Sequence, residues 1–195
     1  MEPQFPGGEL YKYQENERRR RMSQIELSYE DLKQEMIKEI EKRQLKILAT
    51  SEGDFVTARE VRFISDGLTM FCFTDHRSRK YEQIKANPNV AIAVGNLSIE
   101  GVASLKGRPL NEENAKYLET FREKQPDWCE HWSQAGHFQN PNMRVIDVTP
   151  KRIAMYKTRA FDKVPESYLA ILNVVKEEAY RLKPSDFPEA PAYRE

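Results

Sequence analysis

The stretch LKILATSEGDFVTAREVRFISDGLTMFCFT, residues 45–74, carries the pattern that decides the fold. Apolar and β-branched residues recur in short runs with a period of two, which is typical of strands half-buried in a sheet. The connectors EGD and SDG separate these runs, and their glycines supply the positive φ that a tight hairpin turn requires. The pattern therefore predicts an antiparallel meander of three strands, Leu45–Ser51, Phe55–Ile64 and Leu68–Thr74.

The flanking patterns extend this meander into a mainly β domain with a few helices. Further strands are expected at Val90–Gly95, Ile99–Gly107, Met143–Val148 and Arg152–Tyr156. Helices are expected over about residues 29–43, over Ser78–Ala86, from Asn111 onward and over SYLAILNVVKEEAYRL, residues 167–182. The stretch from Lys124 to Asn142 is expected to be a loop. Antiparallel strands with helices between them favour a small barrel over a sheet of βαβ units.

The chain divides into three expected segments. Residues 1–27 are rich in Pro, Gly and charge and predict a flexible N-terminal arm. Residues 28–157 form the β domain, and residues 158–195 form a C-terminal helix and a Pro-containing tail. The run Arg18–Arg21 in the arm could contact nucleic acid, but the balanced charge of the whole chain favours a solvated or dimer-wrapping arm.

Composition predicts a cytoplasmic protein that binds neither nucleic acid nor membrane. The 195 residues carry 31 basic and 31 acidic side chains, so no global field attracts a polyanion or an anionic bilayer. The two cysteines, Cys72 and Cys129, are too few for a disulfide framework, which favours a reducing compartment. There is no long apolar run, and the first residues lack the pattern of a signal peptide. Any anion site must therefore be local.

The densest chemical signal is TDHRSRKYEQIKANPNV, residues 74–90, where a strand gives way to a short helix. Four basic side chains lie near the start of that helix: His76, Arg77, Arg79 and Lys80. The helix macrodipole is already positive there, so acidic residues would be the stabilising choice. A bound phosphate removes this conflict, because it accepts hydrogen bonds from cations, hydroxyls and helix N–H groups. The alternative is that Ser78 only caps the helix while the cations face water; Arg59 on a neighbouring strand favours the phosphate.

Four motifs follow one another along the chain: TAREV at residues 57–61, Phe73-Thr74 at a strand end, Ser78-Arg79-Lys80, and Asn87-Pro88 at a helix end. This order resembles that of the FMN-binding split-barrel proteins, the pyridoxamine 5'-phosphate oxidase-like superfamily. The likeness covers about residues 30–157 and is greatest to the general stress protein branch. It implies a split β-barrel of six or seven antiparallel strands and a homodimer with FMN in the clefts between the subunits.

The resemblance also implies which residues bind the cofactor. Arg59 and Lys80 match positions that hold the flavin phosphate, with Arg79 as an additional candidate. Thr74 and Ser78 match hydroxyls that bond the phosphate or the ribityl chain. The backbone around Val61 and Phe73 is expected to approach the edge of the isoalloxazine ring.

The segment DWCEHWSQAGH, residues 127–137, raises two further questions. Trp128 or Trp132 could cover the flavin ring, since aromatic side chains suit flat ligands, or both could simply anchor a loop to the core. Cys129, His131 and His137 have the spacing C-x-H-x5-H, which matches no standard zinc pattern, so no metal site is expected.

These features predict an FMN-dependent oxidoreductase that passes electrons from NAD(P)H to an unidentified small molecule. No catalytic residue is assigned, because the flavin itself carries the hydride chemistry. The C-terminal RLKPSDFPEAPAYRE lacks the Arg/His-rich motif of the oxidase proper, so oxidation of pyridoxamine phosphate is not expected. Two alternatives stay open: a flavin-binding protein without turnover, and the same cleft holding a deazaflavin or haem.

Overall fold

A computed structural model describes residues 25–162, 164 and 166–182. The helices in this part are α1 (Tyr29–Glu41), α2 (Arg79–Ala86), α3 (Ala115–Lys124), α4 (Pro126–Gln134) and α5 (Arg159–Asp162), with 3-10 turns at Glu112–Asn114 and His137–Gln139. The strands are β1 (Ile25–Glu26), β2 (Leu45–Glu52), β3 (Phe55–Arg62), β4 (Ile64–Asp66), β5 (Thr69–Asp75), β6 (Asn89–Val94), β7 (Leu97–Leu105), β8 (Met143–Lys157), β9 (Tyr168–Asn173) and β10 (Glu178–Leu182). None of the described helices has the length and apolarity to cross a bilayer.

The strands form one antiparallel sheet in the order β1-β10-β9-β8-β7-β6-β2-β3. β8 is the branch point of this sheet, because residues 143–148 pair with β5 while residues 152–157 pair with β9. β7 pairs along the other edge of β8. Across the described residues the path ends at β1 and β3 without closing, so the predicted mainly β, split-barrel fold class is confirmed.

The predicted three-strand meander is in fact two hairpins. β2 pairs with β3, and β4 pairs with β5, but β3 and β5 are not paired with each other. The chain changes course at Phe63, which is fully buried and whose N–H donates to Gln44 O at 2.8 Å. Gly53 and Gly67 adopt the left-handed conformation in the two turns, with φ of 55° and 60°, as the EGD and SDG connectors predict. Phe63 thus separates the two hairpins, and residues on both sides of it line the cavity described below.

Helix α1 covers the main core and begins where the sequence predicts. The Asp31 N–H donates to Ser28 Oγ at 3.3 Å, which satisfies one of the free amides of the first turn. Leu32, Met36 and Ile40 recur at helical spacing and are buried in the same cluster as Leu48 of β2. The helix ends at Glu41, close to the expected boundary.

The C-terminal helix predicted over residues 167–182 is wrong, because the structure places the hairpin β9–β10 there. β9 pairs with the second half of β8, and β1, at the end of the predicted arm, pairs with β10. Ala170, Ile171 and Leu172 are all fully buried, and a continuous buried run suits a strand covered on both faces. Tertiary pairing with an open strand edge thus overrides the local helical spacing. Residues 1–24 and the tail beyond 182 lie outside the described residues.

The stretch 124–142 is also more regular than predicted. Pro126 occupies the first turn of α4, where its missing N–H and fixed φ cost nothing, and this allows a nine-residue helix in place of a loop. Beyond it, the two predicted strands of 143–156 are one continuous strand, β8. Pro150 is tolerated within β8 because it faces the bulge at Gly101, where an added Cβ would lie only 2.8 Å from Thr149 O.

Candidate functional site

The basic segment forms a tight connection between β5, which ends at Asp75, and α2, which begins at Arg79. Ser78 is the N-cap residue of α2, yet its side chain makes no capping hydrogen bond to the helix. Its Oγ lies instead 3.1 Å from Thr74 Oγ1. Two hydroxyls therefore meet beside the free amides of the helix N-terminus, an arrangement that suits an anion.

Two of the four basic side chains turn away from this position. Arg77 donates to the carboxylate of Asp75 at 2.7 Å, and this pairing holds the pKa of Asp75 well below its usual range. The ring Nδ1 of His76 lies 3.2 Å from Asn142 O. Arg79 and Lys80 are thus the cations of the segment that stay available to a ligand.

Arg59 is held by a network of neutral acceptors on β2, β3 and α2. Its Nη1 donates to Thr50 Oγ1 at 2.6 Å and to Leu48 O at 3.3 Å. Its Nη2 donates to Gln83 Oε1 at 3.1 Å and to Thr57 Oγ1. Both threonine hydroxyls donate in turn to Gln83 Oε1, at 2.7 and 2.8 Å. The guanidinium therefore uses its four Nη hydrogens within the protein, and its Nε–H makes no hydrogen bond to the described residues.

Arg59, Arg79 and Lys80 form a group of like charges, called here the cationic cluster. Burial and the nearby charge of Arg79 lower the pKa of Arg59. Burial, with the charge of Arg59 adding to it, lowers the pKa of half-buried Lys80. Among the described residues no carboxylate forms a hydrogen bond or ion pair with these three cations. An anion placed among them would remove their mutual repulsion.

A cavity of about 190 Å³ adjoins the cationic cluster. It is lined by Glu60, Val61, Arg62, Ile64, Phe73, Lys80, Phe121 and Trp132. Its aromatic wall is well packed, because the ring centroid of Phe73 lies 5.5 Å from that of Phe121 and 5.9 Å from that of Trp132. Lys80 belongs both to this lining and to the cationic cluster, so the two features are continuous. Together they offer a charged end and a flat apolar end to one ligand.

The two tryptophans have different surroundings. Trp132 lies in the aromatic wall and also contacts Phe138 and His137, with centroid distances of 6.0 and 5.0 Å. Trp128 is 40% exposed and lies outside the cavity lining, with the guanidinium of Arg62 4.0 Å from its ring centroid. Trp132 therefore anchors residues 127–137 to the core and also faces the cavity. Trp128 contacts Arg62, which lines the cavity, but does not line it itself.

The structure brings most of the predicted site residues together. One cavity is lined by Val61, Phe73, Lys80 and Trp132, and the residues beside it are Arg59, Thr74, Ser78 and Arg79. Trp128 is the one that lies apart. Their roles in binding a cofactor stay predictions.

Sequence reasoning missed the residues that hold Arg59 and those that complete the wall. Thr57 lies two residues before Arg59 on one strand, so strand alternation places both on the same face. Gln83 lies one turn of α2 beyond Arg79, which is a visible signal in the sequence. Phe121 gave no such signal, because it comes from a distant helix whose packing depends on the whole fold.

The cysteines and histidines of residues 127–137 do not form a metal site with the other described residues. Within the described part of the chain, no three His, Cys, Asp or Glu side chains lie close enough to hold a metal ion. Both cysteines are buried and unpaired with each other, and burial raises the pKa of Cys72 to about 12. Cys72 is thus a packing residue of β5.

Replacing Gln83 by leucine is expected to lower the free energy of unfolding by about 1–2 kcal/mol, since the buried Thr50 hydroxyl and the Arg59 guanidinium lose their shared acceptor. Gln34→Leu, on the exposed face of α1, serves as the matched control and should change little. Urea unfolding of the two purified variants measures the difference. Equal stability would mean that Gln83 does not hold Arg59.

Comparison with known proteins adds an independent line of evidence. The family model described as pyridoxamine 5'-phosphate oxidase matches residues 32–157. The chain is 26% identical over 144 residues to general stress protein 26 of Bacillus subtilis, covering 72% of this chain and 98% of that protein. This match confirms the expected resemblance to the general stress protein branch.

Two solved structures share the fold. General stress protein 26 from Bacillus anthracis matches with a TM-score of 0.50 and 21% identity, covering 63% of this chain and 91% of that one. ChuZ from Campylobacter jejuni matches with a TM-score of 0.61 and 14% identity, covering 87% of this chain and 70% of that one. At these identities the likeness is one of fold alone. Because the family model spans well over half of the sequence, the chain belongs to the pyridoxamine 5'-phosphate oxidase family.

Proposed function

We propose that this protein is an FMN-binding oxidoreductase that uses NAD(P)H to reduce a small molecule. One observation carries the proposal: three cations that form no ion pair with any described carboxylate are continuous, through Lys80, with a cavity walled by aromatic rings. FMN has the matching shape, with a phosphate at one end and a flat ring system at the other.

The phosphate end fits the donors that the chain offers. A phosphate dianion binds best to cationic donors, hydroxyls and helix N–H groups together. Lys80 and Arg79 supply charge, Thr74 and Ser78 supply hydroxyls, and α2 supplies its first amides. Arg59 contributes mainly a fixed positive charge and its Nε–H, because its Nη groups already donate to the protein. Arg59 is therefore not expected to form a bidentate hydrogen bond to the phosphate.

The ring end supports a cofactor site shared between two copies of the chain. The cavity of about 190 Å³ is smaller than the roughly 300–1,000 Å³ usual for ligand pockets, so one chain supplies only part of the wall. The sheet face of β2 and β3 beside it exposes Leu45, Ile47 and Val56. Phe55 is also exposed and lies on the other face of β3, the face of Arg59, where the guanidinium of Arg79 lies 4.7 Å from its ring centroid. We propose that a second copy of the chain covers these exposed apolar side chains and completes the site.

FMN, when bound, supplies the hydride chemistry, and the chain binds and orients it. Phe73, Phe121 and Trp132 would exclude water from one side of the ring. A haem in the same place would need an axial ligand, and the described lining of the cavity includes no His, Cys, Met or Tyr. This composition favours a flavin over haem. The substrate stays open, because one fold hosts many reactions.

The protein is expected to purify as a yellow dimer whose colour bleaches when NADH or NADPH is added without oxygen, because the bound flavin becomes reduced. Mass spectrometry of the released ligand distinguishes FMN from a deazaflavin, and sedimentation gives the number of chains. Dithionite serves as the positive control for bleaching. A yellow protein that dithionite bleaches but neither nicotinamide reduces would favour the flavin-binding protein without turnover. A protein that takes up no flavin would contradict the proposal.

A further inference from the structure

A second cavity, of about 180 Å³, lies where α1, β2 and α3 meet, on the other side of Phe63 from the site described above. Its mouth is formed by exposed side chains: Glu41, Arg43, Gln44 and Lys124. Its floor is formed by buried ones: Lys46, Phe63, Ser65 and Gln125. A single water needs about 10–15 Å³, so this cavity has room for a small organic molecule.

Lys46 is the unusual residue of this floor. It lies on β2 with a relative exposure of 2%, and buried lysines are rare unless a carboxylate pairs with them. Its Nζ donates to Arg43 O at 2.5 Å and makes no ion pair with any residue that the structure describes. The nearest carboxylate that acts on it, Glu41, pairs instead with Lys124 at 3.4 Å. Burial consequently lowers the pKa of Lys46 to about 8.

Neighbouring polar groups of the cavity lack partners. Gln125 Nε2 donates to Phe63 O at 3.0 Å, which fixes the amide, and its Oε1 is a buried acceptor that receives no hydrogen bond from the described residues. Ser65 is nearly buried and its hydroxyl makes no hydrogen bond among the described residues. At the mouth, Arg43 forms no ion pair with any residue that the structure describes. These groups match a small molecule with polar atoms at one end and a carboxylate at the other.

We propose that Lys46 captures a small carbonyl compound bearing a carboxylate, such as a 2-oxo acid, as an imine in this cavity. The lone pair of the neutral amine attacks the carbonyl carbon and forms the C–N bond. The two amine hydrogens then leave with the carbonyl oxygen as water, so no oxidant or reductant is needed. The bond to Arg43 O orients the nitrogen, and the Arg43 guanidinium faces the carboxylate of the ligand.

The test uses the purified full chain with glyoxylate and cyanoborohydride, which converts an imine into a stable amine that peptide mass spectrometry locates. At pH 7 an amine with a pKa of about 8 is roughly 10% neutral, against roughly 0.04% for an ordinary lysine of pKa about 10.4. Lys46 is therefore expected to be labelled at least tenfold faster than exposed Lys85, with a rate that levels off above pH 8. Glu41, Arg43 and Lys124 are the other charged groups that line the cavity with Lys46.

Two variants separate the parts of the proposal. Lys46→Arg should abolish the label on the β2 peptide while the Lys85 label stays unchanged. Arg43→Gln should slow labelling by glyoxylate but not by acetaldehyde, which has no carboxylate. Labelling of Lys46 no faster than Lys85 in the unmodified protein would overturn the carbonyl capture. An equal effect of Arg43→Gln on both aldehydes would overturn the carboxylate contact. Neither result depends on FMN.

Discussion

Lys80→Met is expected to weaken FMN binding by about 1.5–3 kcal/mol, which is roughly 10- to 150-fold in Kd. The substitution removes the cation shared by the cavity and the cationic cluster but keeps most of the apolar stem in place. Fluorescence titration of the apoprotein with FMN measures the change, since flavin emission is sensitive to its surroundings.

Without FMN, the same variant is expected to lose no stability. The folded state lowers the pKa of Lys80, so at neutral pH folding disfavours its charged form, and removing the charge should leave the apoprotein at least as stable as before. Lys85→Met, on the exposed face of the same helix, should change neither quantity. An Lys80→Met protein that binds FMN normally would mean that the phosphate lies elsewhere. A parallel loss of stability would point to a structural role.

Phe121→Ala is expected to have the largest effect on folding, a loss of about 3–5 kcal/mol in the free energy of unfolding. Phe121 is almost fully buried in the second, smaller core cluster, where its ring centroid lies 5.5 Å from that of Phe73 and 6.1 Å from that of Trp132. Its removal would open the aromatic wall from behind, so FMN should bind more weakly as well. Urea unfolding of the apoprotein and FMN titration measure the two effects.

Phe161→Ala is the matched control, because that side chain is 87% exposed and its loss should stay within about 0.5 kcal/mol. A loss below about 1.5 kcal/mol for Phe121→Ala would show that Trp132 and Phe138 close over the space. In that case the cavity would be adaptable, and ring binding should be measured again with Trp132→Leu.

The parts of the fold that sequence reasoning predicted well are those determined by short-range chemistry. The glycine turns at 53 and 67, the cap at Ser28 and the helix end at Asn87 depend on a few adjacent residues. Within residues 45–75, the strands β2, β3 and β5 and the pairing of β2 with β3 were predicted correctly. Strand β4 was missed, and β5 pairs with β4 and β8 instead of with β3. Strand pairing depends on Phe63, whose burial turns the chain toward a partner about eighty residues away.

The C-terminal hairpin shows where local pattern fails. Its residues can be placed on a helical face or on a strand with equal ease, and the choice depends on whether a strand edge is open nearby. That edge belongs to β8, and no local pattern in residues 158–182 indicates that the edge is open.

The candidate site divides in the same way. Ser78, Arg79 and Lys80 are adjacent in sequence and were found from their spacing. Arg59 was predicted as well. The four hydrogen bonds that its Nη groups donate were not predicted, because their acceptors come from three different elements. Only the three-dimensional contacts show that both Nη groups of Arg59 already donate to protein acceptors.

The branch at β8 has a consequence for self-association. The family match ends at residue 157, which is also the last residue of β8. On one of their two edges, residues 152–157 pair with β9 alone. A chain without the β9–β10 hairpin would therefore expose a row of unpaired backbone amide and carbonyl groups on that edge. Such an edge invites intermolecular pairing and aggregation. The β9–β10 hairpin, which lies beyond the family match, therefore protects this edge from intermolecular pairing. The other half of the same strand pairs with β5, which carries Phe73 of the candidate cavity.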